Sequence, residues 1–426
     1  MIKIPFFKWM IVLLIFLEVY GWPLSLLFNS RLVVLIDDVI AILCMLVILL
    51  SIIHTGKIKK TSLNLPIAFF ILVFVTSMTI NSVPIDVAII QLRSYLLMFM
   101  IYYIILWGKL SDDEITSIFK IVFIMFIPVL ISAIYEYATG TLILVSFDRW
   151  GNEFQPGEGF RIHSTIGNSI DYGNYCILMI AILIPKLALN SSFGFSKRAS
   201  AYLVLILLVT LVMAGSRGPL IAVTLSVLIT LYLFKKLTVG RLAIFFSSAI
   251  LVILIFGGTL VERTLSPFDD PFNGDLVEST QDYRLLFLLK TFEVVKDNPF
   301  FGTGPGTFGG WVSVNYKLSE VYARYDFSTD GISSIDMFFP HLLGELGFIG
   351  VVAYLGLLLR PINYFKKSFF LSNDSKQQYL SFVSVLMCFM LLIIGLFSIA
   401  LENQMITALF AVVIGLSEKY VRQKAS

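Results

Sequence analysis

Charge is scarce in this chain. Lysine, arginine, aspartate and glutamate together make up 14% of the 426 residues, against 58% hydrophobic, a balance that excludes an ordinary soluble domain. Cysteine is nearly absent as well. Cys44, Cys176 and Cys388 all fall in apolar runs without paired ligand spacing, so neither a disulfide framework nor a metal site is indicated. Histidine occurs only at His54, His163 and His341, and no P-loop, zinc-ligand spacing or nucleophile elbow accompanies it. The apolar runs lack the alternation of an outer-membrane barrel. Lys3 and Lys8 precede the first run, but no small-residue cleavage site follows, so that run reads as a retained span.

What the chain does have is apolar runs of roughly 18 to 25 residues, each long enough to cross about 30 Å of hydrocarbon. Backbone groups in lipid must be satisfied within the segment, so the spans are helices. The predicted spans are 8–28, 31–54, 63–80, 85–107, 115–135, 168–189, 199–215, 217–234, 241–260, 338–361, 378–400 and 402–418. The expected fold is all-α: a polytopic membrane helix bundle of about 12 transmembrane helices with one large extracytoplasmic loop. It forms a single membrane domain, 1–426.

Alternate loops separate by charge. Lys3, Lys8, Lys57, Lys59, Lys60, Lys109, Lys186, Lys197, Arg198, Lys235, Lys236, Arg241, Arg360, Lys366, Lys367, Lys376, Lys419, Arg422 and Lys424 share one side. The short connections opposite carry little more than Arg31 and Arg217. The positive-inside rule makes the first side, with both termini, cytoplasmic. This is a topology signal and not a nucleic-acid footprint.

Two larger loops then face outward, a smaller one at 136–167 and a large one at 261–337. In the large loop, Ser279 caps a predicted helix near 281–297, with Leu285, Leu286, Leu289, Phe292 and Val295 near one face and Asn298-Pro299 as its stop. Such a helix suits either the bilayer interface or a lid packed on the bundle. The following GTGPGTFGG has dinucleotide-fingerprint spacing at Gly304, Gly306 and Gly309. It lacks the strand before and the helix after, and reads as a tight turn or as a turn of exposed amides beside an anion.

Ionisable residues within spans are functional candidates. Asp37, Asp38, Arg93 and Glu345 all lie toward the outward ends of theirs. Arg93 has two readings, a structural pair with Asp37 or Asp38 and a substrate contact. Arg161, Arg217 and Arg284 sit at the outer boundary, where a planar guanidinium suits bidentate phosphate binding.

Four ordered blocks, GFRIHSTIGNSIDYGNY, AGSRGPLIAV, DYRLLFLLKTFEVVKDNPFFGTGPGTF and IDMFFPHLLGELGFIG, resemble the O-antigen polymerase and ligase superfamily of bacterial membrane glycosyltransferases. The resemblance implies inverting transfer from undecaprenyl-pyrophosphate-linked oligosaccharides at the outer face of the cytoplasmic membrane. It implies no cofactor, no metal and no nucleic-acid partner. A flippase and a chain-length regulator are the implied protein partners. Arg217 and Arg284 match arginines that engage the lipid pyrophosphate, with Arg161 and Arg93 as further binding candidates and Glu345 and His163 in support. Ligases of this superfamily carry His-Asn ahead of E-L-G-x-x-G, where this chain has Asp336-Met337. That departure favours a polysaccharide polymerase over a ligase, and leaves Asp336 and His341 both open as the base. About twelve helices also suit a transporter of a lipid-linked sugar, but the two halves here differ in loop length and the charges sit at the outer edge.

Overall fold

The computed structural model describes residues 6–29, 36–56, 58–96, 99–144, 161–189, 195–236, 238, 240, 247, 280–310, 312–313 and 337–425. Thirteen α-helices carry the described residues: α1 Phe6–Leu27, α2 Ile36–Thr55, α3 Asn64–Ile80, α4 Ile85–Leu96, α5 Phe99–Trp107, α6 Asp112–Thr139, α7 Ser169–Ala188, α8 Lys197–Met213, α9 Arg217–Leu233, α10 Thr280–Asp297, α11 Phe338–Leu371, α12 Ser375–Ile394 and α13 Gln404–Ala425. The protein is a polytopic helical membrane protein. Among the described residues, seven helices are long and apolar enough to cross a bilayer, or eight when the bent pair α4–α5 counts as one; α3 and α9 are shorter apolar helices.

Local chemistry sets the boundaries. Ser111 and Glu114 form a reciprocal capping box at the start of α6, and Gly140 ends it in the left-handed region. Asn168, Ser196 and Asp374 accept first-turn N–H groups of α7, α8 and α12.

Two predicted spans differ in shape. The run 85–107 is not one rod: α4 and α5 meet at 59°. The two halves serve different neighbours, since α5 packs on α13 and α2 while α4 turns polar Gln91, Arg93 and Tyr95 toward the interior. The span expected at 338–361 runs on to Leu371 and is broken at Gly347. The predicted span 241–260, apart from residue 247, and the loop stretches 145–160, 261–279 and 314–336 lie outside the described residues.

The core lies where α11 packs on α12 and α3, and α12 packs on α9 and α7. α7 is buried nearly all round, whereas α2 exposes Val39, Leu43, Leu46, Val47 and Leu50, as a lipid-facing helix should. α10 forms close to the predicted range, but it turns a different face inward. Phe287, Thr291, Val294 and Val295 are buried, while Leu289 and Phe292 are exposed. The reason is that α11 takes the stripe at i, i+4, i+7 and i+8. α10 is therefore packed on the bundle and still presents apolar side chains outward.

The two ends of the bundle are chemically distinct. At one, Lys59 and Lys419 donate to the carbonyl of Leu106, the last turn of α5, and Lys376 donates to that of Asp112. There Glu418, fully buried, accepts from Ser62, Tyr102 and Arg422. At the other end lie the turn 302–310, the α8–α9 turn and the segment 395–403.

Candidate functional site

Gly347 breaks α11 with φ 65° and ψ −170°, a region that only glycine occupies readily. An intact helix would bond the N–H of Phe348 to Gly344 and that of Ile349 to Glu345. Instead, Phe348 donates to Pro299 at 2.9 Å and Ile349 to Phe300 at 3.3 Å. The freed carbonyls of Gly344 and Glu345 accept from Thr303 and Gly304, both at 2.9 Å. The turn after α10 thus inserts into the break, and two lost bonds become four. The glycine-rich turn serves close backbone approach.

The break fixes Glu345 in the interior. Its side chain is fully buried, accepts from the Tyr95 hydroxyl at 2.8 Å and faces the amide of Phe308 at 3.5 Å. One turn earlier on α11, His341 is also fully buried. Its Nε2 lies 3.0 Å from Glu345 Oε1, a charge contact that falls outside hydrogen-bond alignment. Its Nδ1 meets Glu402 Oε1 at 2.5 Å. Gly310 covers the other edge of the ring: a Cβ there would lie 2.5 Å from the imidazole.

Glu402 belongs to the segment 395–403 between α12 and α13, and this segment joins the site's elements. Gly395 and Ser398 accept the N–H groups of Phe339 and Phe338 at the start of α11, replacing the side-chain cap that Met337 does not supply. Asn174 of α7 donates to Ser398 at 3.1 Å. Phe397 packs against Gly218 so closely that a Cβ at 218 would lie 2.9 Å from it. Two residues beyond Glu402, the Gln404 amide oxygen, in the orientation that satisfies both groups, accepts from Arg93 at 2.9 and 3.2 Å.

The expected site residues fall into three groups. His341 and Glu345 come together, and Arg93 is tied through Gln404 to the segment that carries their partner Glu402. Arg93 pairs with Asp38, its Nε at 2.8 Å, and so takes up the structural partner while its side chain stays 34% exposed. Arg161 and Arg217 meet at the α8–α9 turn. Arg161 donates to the Ala214 carbonyl and to Ser216 Oγ, both at 2.9 Å, so it shapes the turn that presents Arg217. Arg217, half-buried, is the first residue of α9. His163 stands apart in its visible role: Glu136, wholly buried, accepts the backbone N–H groups of His163 and Ser164 at 2.8 and 2.7 Å. Asp336 and the side chain of Arg284 lie outside what is described, although Arg284 is in α10.

Sequence reading missed Glu402, Gln404 and Tyr95. For the first two a signal existed: Glu402-Asn403-Gln404 interrupts an apolar run, and a polar triplet there costs too much in lipid to be idle. For Tyr95 no signal existed, because a tyrosine in a span is unremarkable until its hydroxyl finds a carboxylate. Among the described residues no group of three histidine, cysteine or carboxylate side chains has the geometry to hold a metal ion.

A family model described as O-Antigen ligase matches residues 202–355, from α8 through the broken first half of α11. No curated protein matches the chain. The family match supports a place in the O-antigen polymerase and ligase superfamily and a role in glycan processing, without favouring either branch.

Proposed function

We propose that this protein is a glycosyltransferase that polymerises oligosaccharide repeat units carried on undecaprenyl pyrophosphate, at the outer face of a bacterial cytoplasmic membrane. The observation that carries the reading is the convergence on one segment, 395–404, of a buried His–carboxylate cluster and a cation held at the same end of the bundle. Glycosyl transfer from a lipid pyrophosphate needs little else. The donor is already activated, so the protein must orient the acceptor hydroxyl, take its proton and stabilise charge on the departing pyrophosphate.

In this reading Arg217 and Arg284 engage the pyrophosphate, and Arg93, which keeps exposed surface despite its pair with Asp38, assists. Arg161 holds the Arg217 turn. The group that receives the acceptor proton belongs to the His341–Glu345–Glu402 cluster. Asp336, one residue outside the described start of this segment, is the alternative. Asp336-Met337 in place of His-Asn supports polymerase. The second reading, on which the family match bears equally, is a ligase that moves the glycan to lipid A core or another envelope acceptor.

Purified protein in liposomes separates the two. Given lipid-linked repeats alone, a polymerase makes a ladder of multimers; a ligase makes product only after a different acceptor is added. Product in neither condition would end both readings.

A further inference from the structure

This inference rests on the transferase reading above and assigns its acceptor-side chemistry. We infer that Glu402 is the catalytic residue that takes the proton of the acceptor hydroxyl, and that His341 is a positioning residue behind it.

The case starts from access. His341 has no exposed surface, and neither has Glu345. One ring nitrogen of His341 faces each of two carboxylates, and the Gly310 backbone lies against the imidazole. No sugar hydroxyl can reach either nitrogen without dismantling the break in α11. Glu402 is different. Its side chain keeps 11% exposure, and it sits on a connecting segment and not within a helix. His341 Nδ1 occupies Oε1, which leaves Oε2 as the oxygen turned to the acceptor. Two residues on, Gln404 ties the same segment to Arg93, an arginine with exposed surface.

The chain Tyr95–Glu345–His341–Glu402 then has a direction. Tyr95 donates to Glu345, Glu345 faces Nε2, and Nδ1 donates to Glu402. Each member fixes the next, and the last keeps the most exposed surface. This is the arrangement in which a general base is oriented by a second group that is itself oriented by a third.

The step balances as follows. The acceptor hydroxyl gives its proton to Glu402 Oε2 while its oxygen forms a bond to the anomeric carbon of the donor sugar. The bond from that carbon to the pyrophosphate oxygen breaks, and its electron pair leaves with the lipid pyrophosphate. Glu402, now a carboxylic acid, returns the proton to solvent.

The test uses full-length protein in liposomes with lipid-linked repeats. E402Q retains an acceptor for His341 Nδ1 but cannot take a proton; kcat should fall by about 10²–10⁴ with KM within about threefold. E402A should fall as far and recover at least about tenfold in added formate, a small carboxylate able to serve as the missing base. H341A should lose less than E402A and gain nothing from formate. Active wild-type protein with E402Q within threefold of it, or folded E402A without formate recovery, overturns the assignment of Glu402. Wild-type protein silent with every donor and acceptor pair overturns the transferase reading itself, and the assignment with it.

Discussion

Pro299 accepts, at 2.9 Å, the N–H that Phe348 would otherwise give to Gly344 in its own helix. The contact joins two distant segments, the end of α10 and the ELGFIG stretch, into one backbone unit that holds Glu345 and His341 in register. Gly347→Ala should break it. A side chain at that φ and ψ costs about 1–3 kcal/mol, and its Cβ would strike the Phe300 backbone. Folded yield in detergent should drop, and turnover per folded molecule should fall at least tenfold, as measured by thermal unfolding and by the liposome assay.

The bundle itself was legible because lipid leaves few options: apolar length, basic loops and the cost of intramembrane charge all point one way. Most predicted spans lie within a few residues of observed helices. The break at Gly347 was not legible, since GELGFIG reads as an ordinary small-residue helix until the bonds from 299–304 are seen. The same holds for α4, whose 59° turn against α5 accompanies the contacts of Arg93 with Asp38 and of Tyr95 with Glu345. Within the site, His341 and Glu345 were found as isolated candidates. Their partner Glu402 was absorbed into a span, because hydropathy averaged over a window conceals one carboxylate.

Arg217 opens α9 at the turn that Arg161 clamps. Arg217→Lys keeps the charge but loses the planar fork that grips two phosphate oxygens. Activity should fall at least tenfold, with KM for the lipid-linked donor raised. Arg198→Lys, an exposed change in the first turn of α8, should leave activity within twofold. Near-normal turnover in folded Arg217→Lys would remove Arg217 from the pyrophosphate site.

Orientation follows from loop charge and can be read directly. A reporter active only outside the cytoplasm should be active when fused at Asn273 and silent at Lys366. The reverse pattern would put 261–337 and the candidate site on the cytoplasmic face.

Glu418 lies at the opposite end from the site, buried among Ser62, Tyr102 and Arg422. Glu418→Ala strands the buried donors of Ser62 and Tyr102 and should destabilise the bundle by about 1–3 kcal/mol for each group left unpaired. Its effect should appear as a lower unfolding temperature, with donor KM unchanged in the surviving folded fraction. A changed KM would instead tie this end to substrate binding.

The central claim is that a polyprenyl pyrophosphate leaves as each glycosidic bond forms. The most direct measurement counts both products in one reaction: carrier pyrophosphate released and new linkages made, with the anomeric configuration of each linkage read by NMR. We predict one carrier released per bond, inverted configuration, and parallel loss of both products in Glu402→Gln. Linkages formed without carrier release, or carrier released with no new bond, would contradict it.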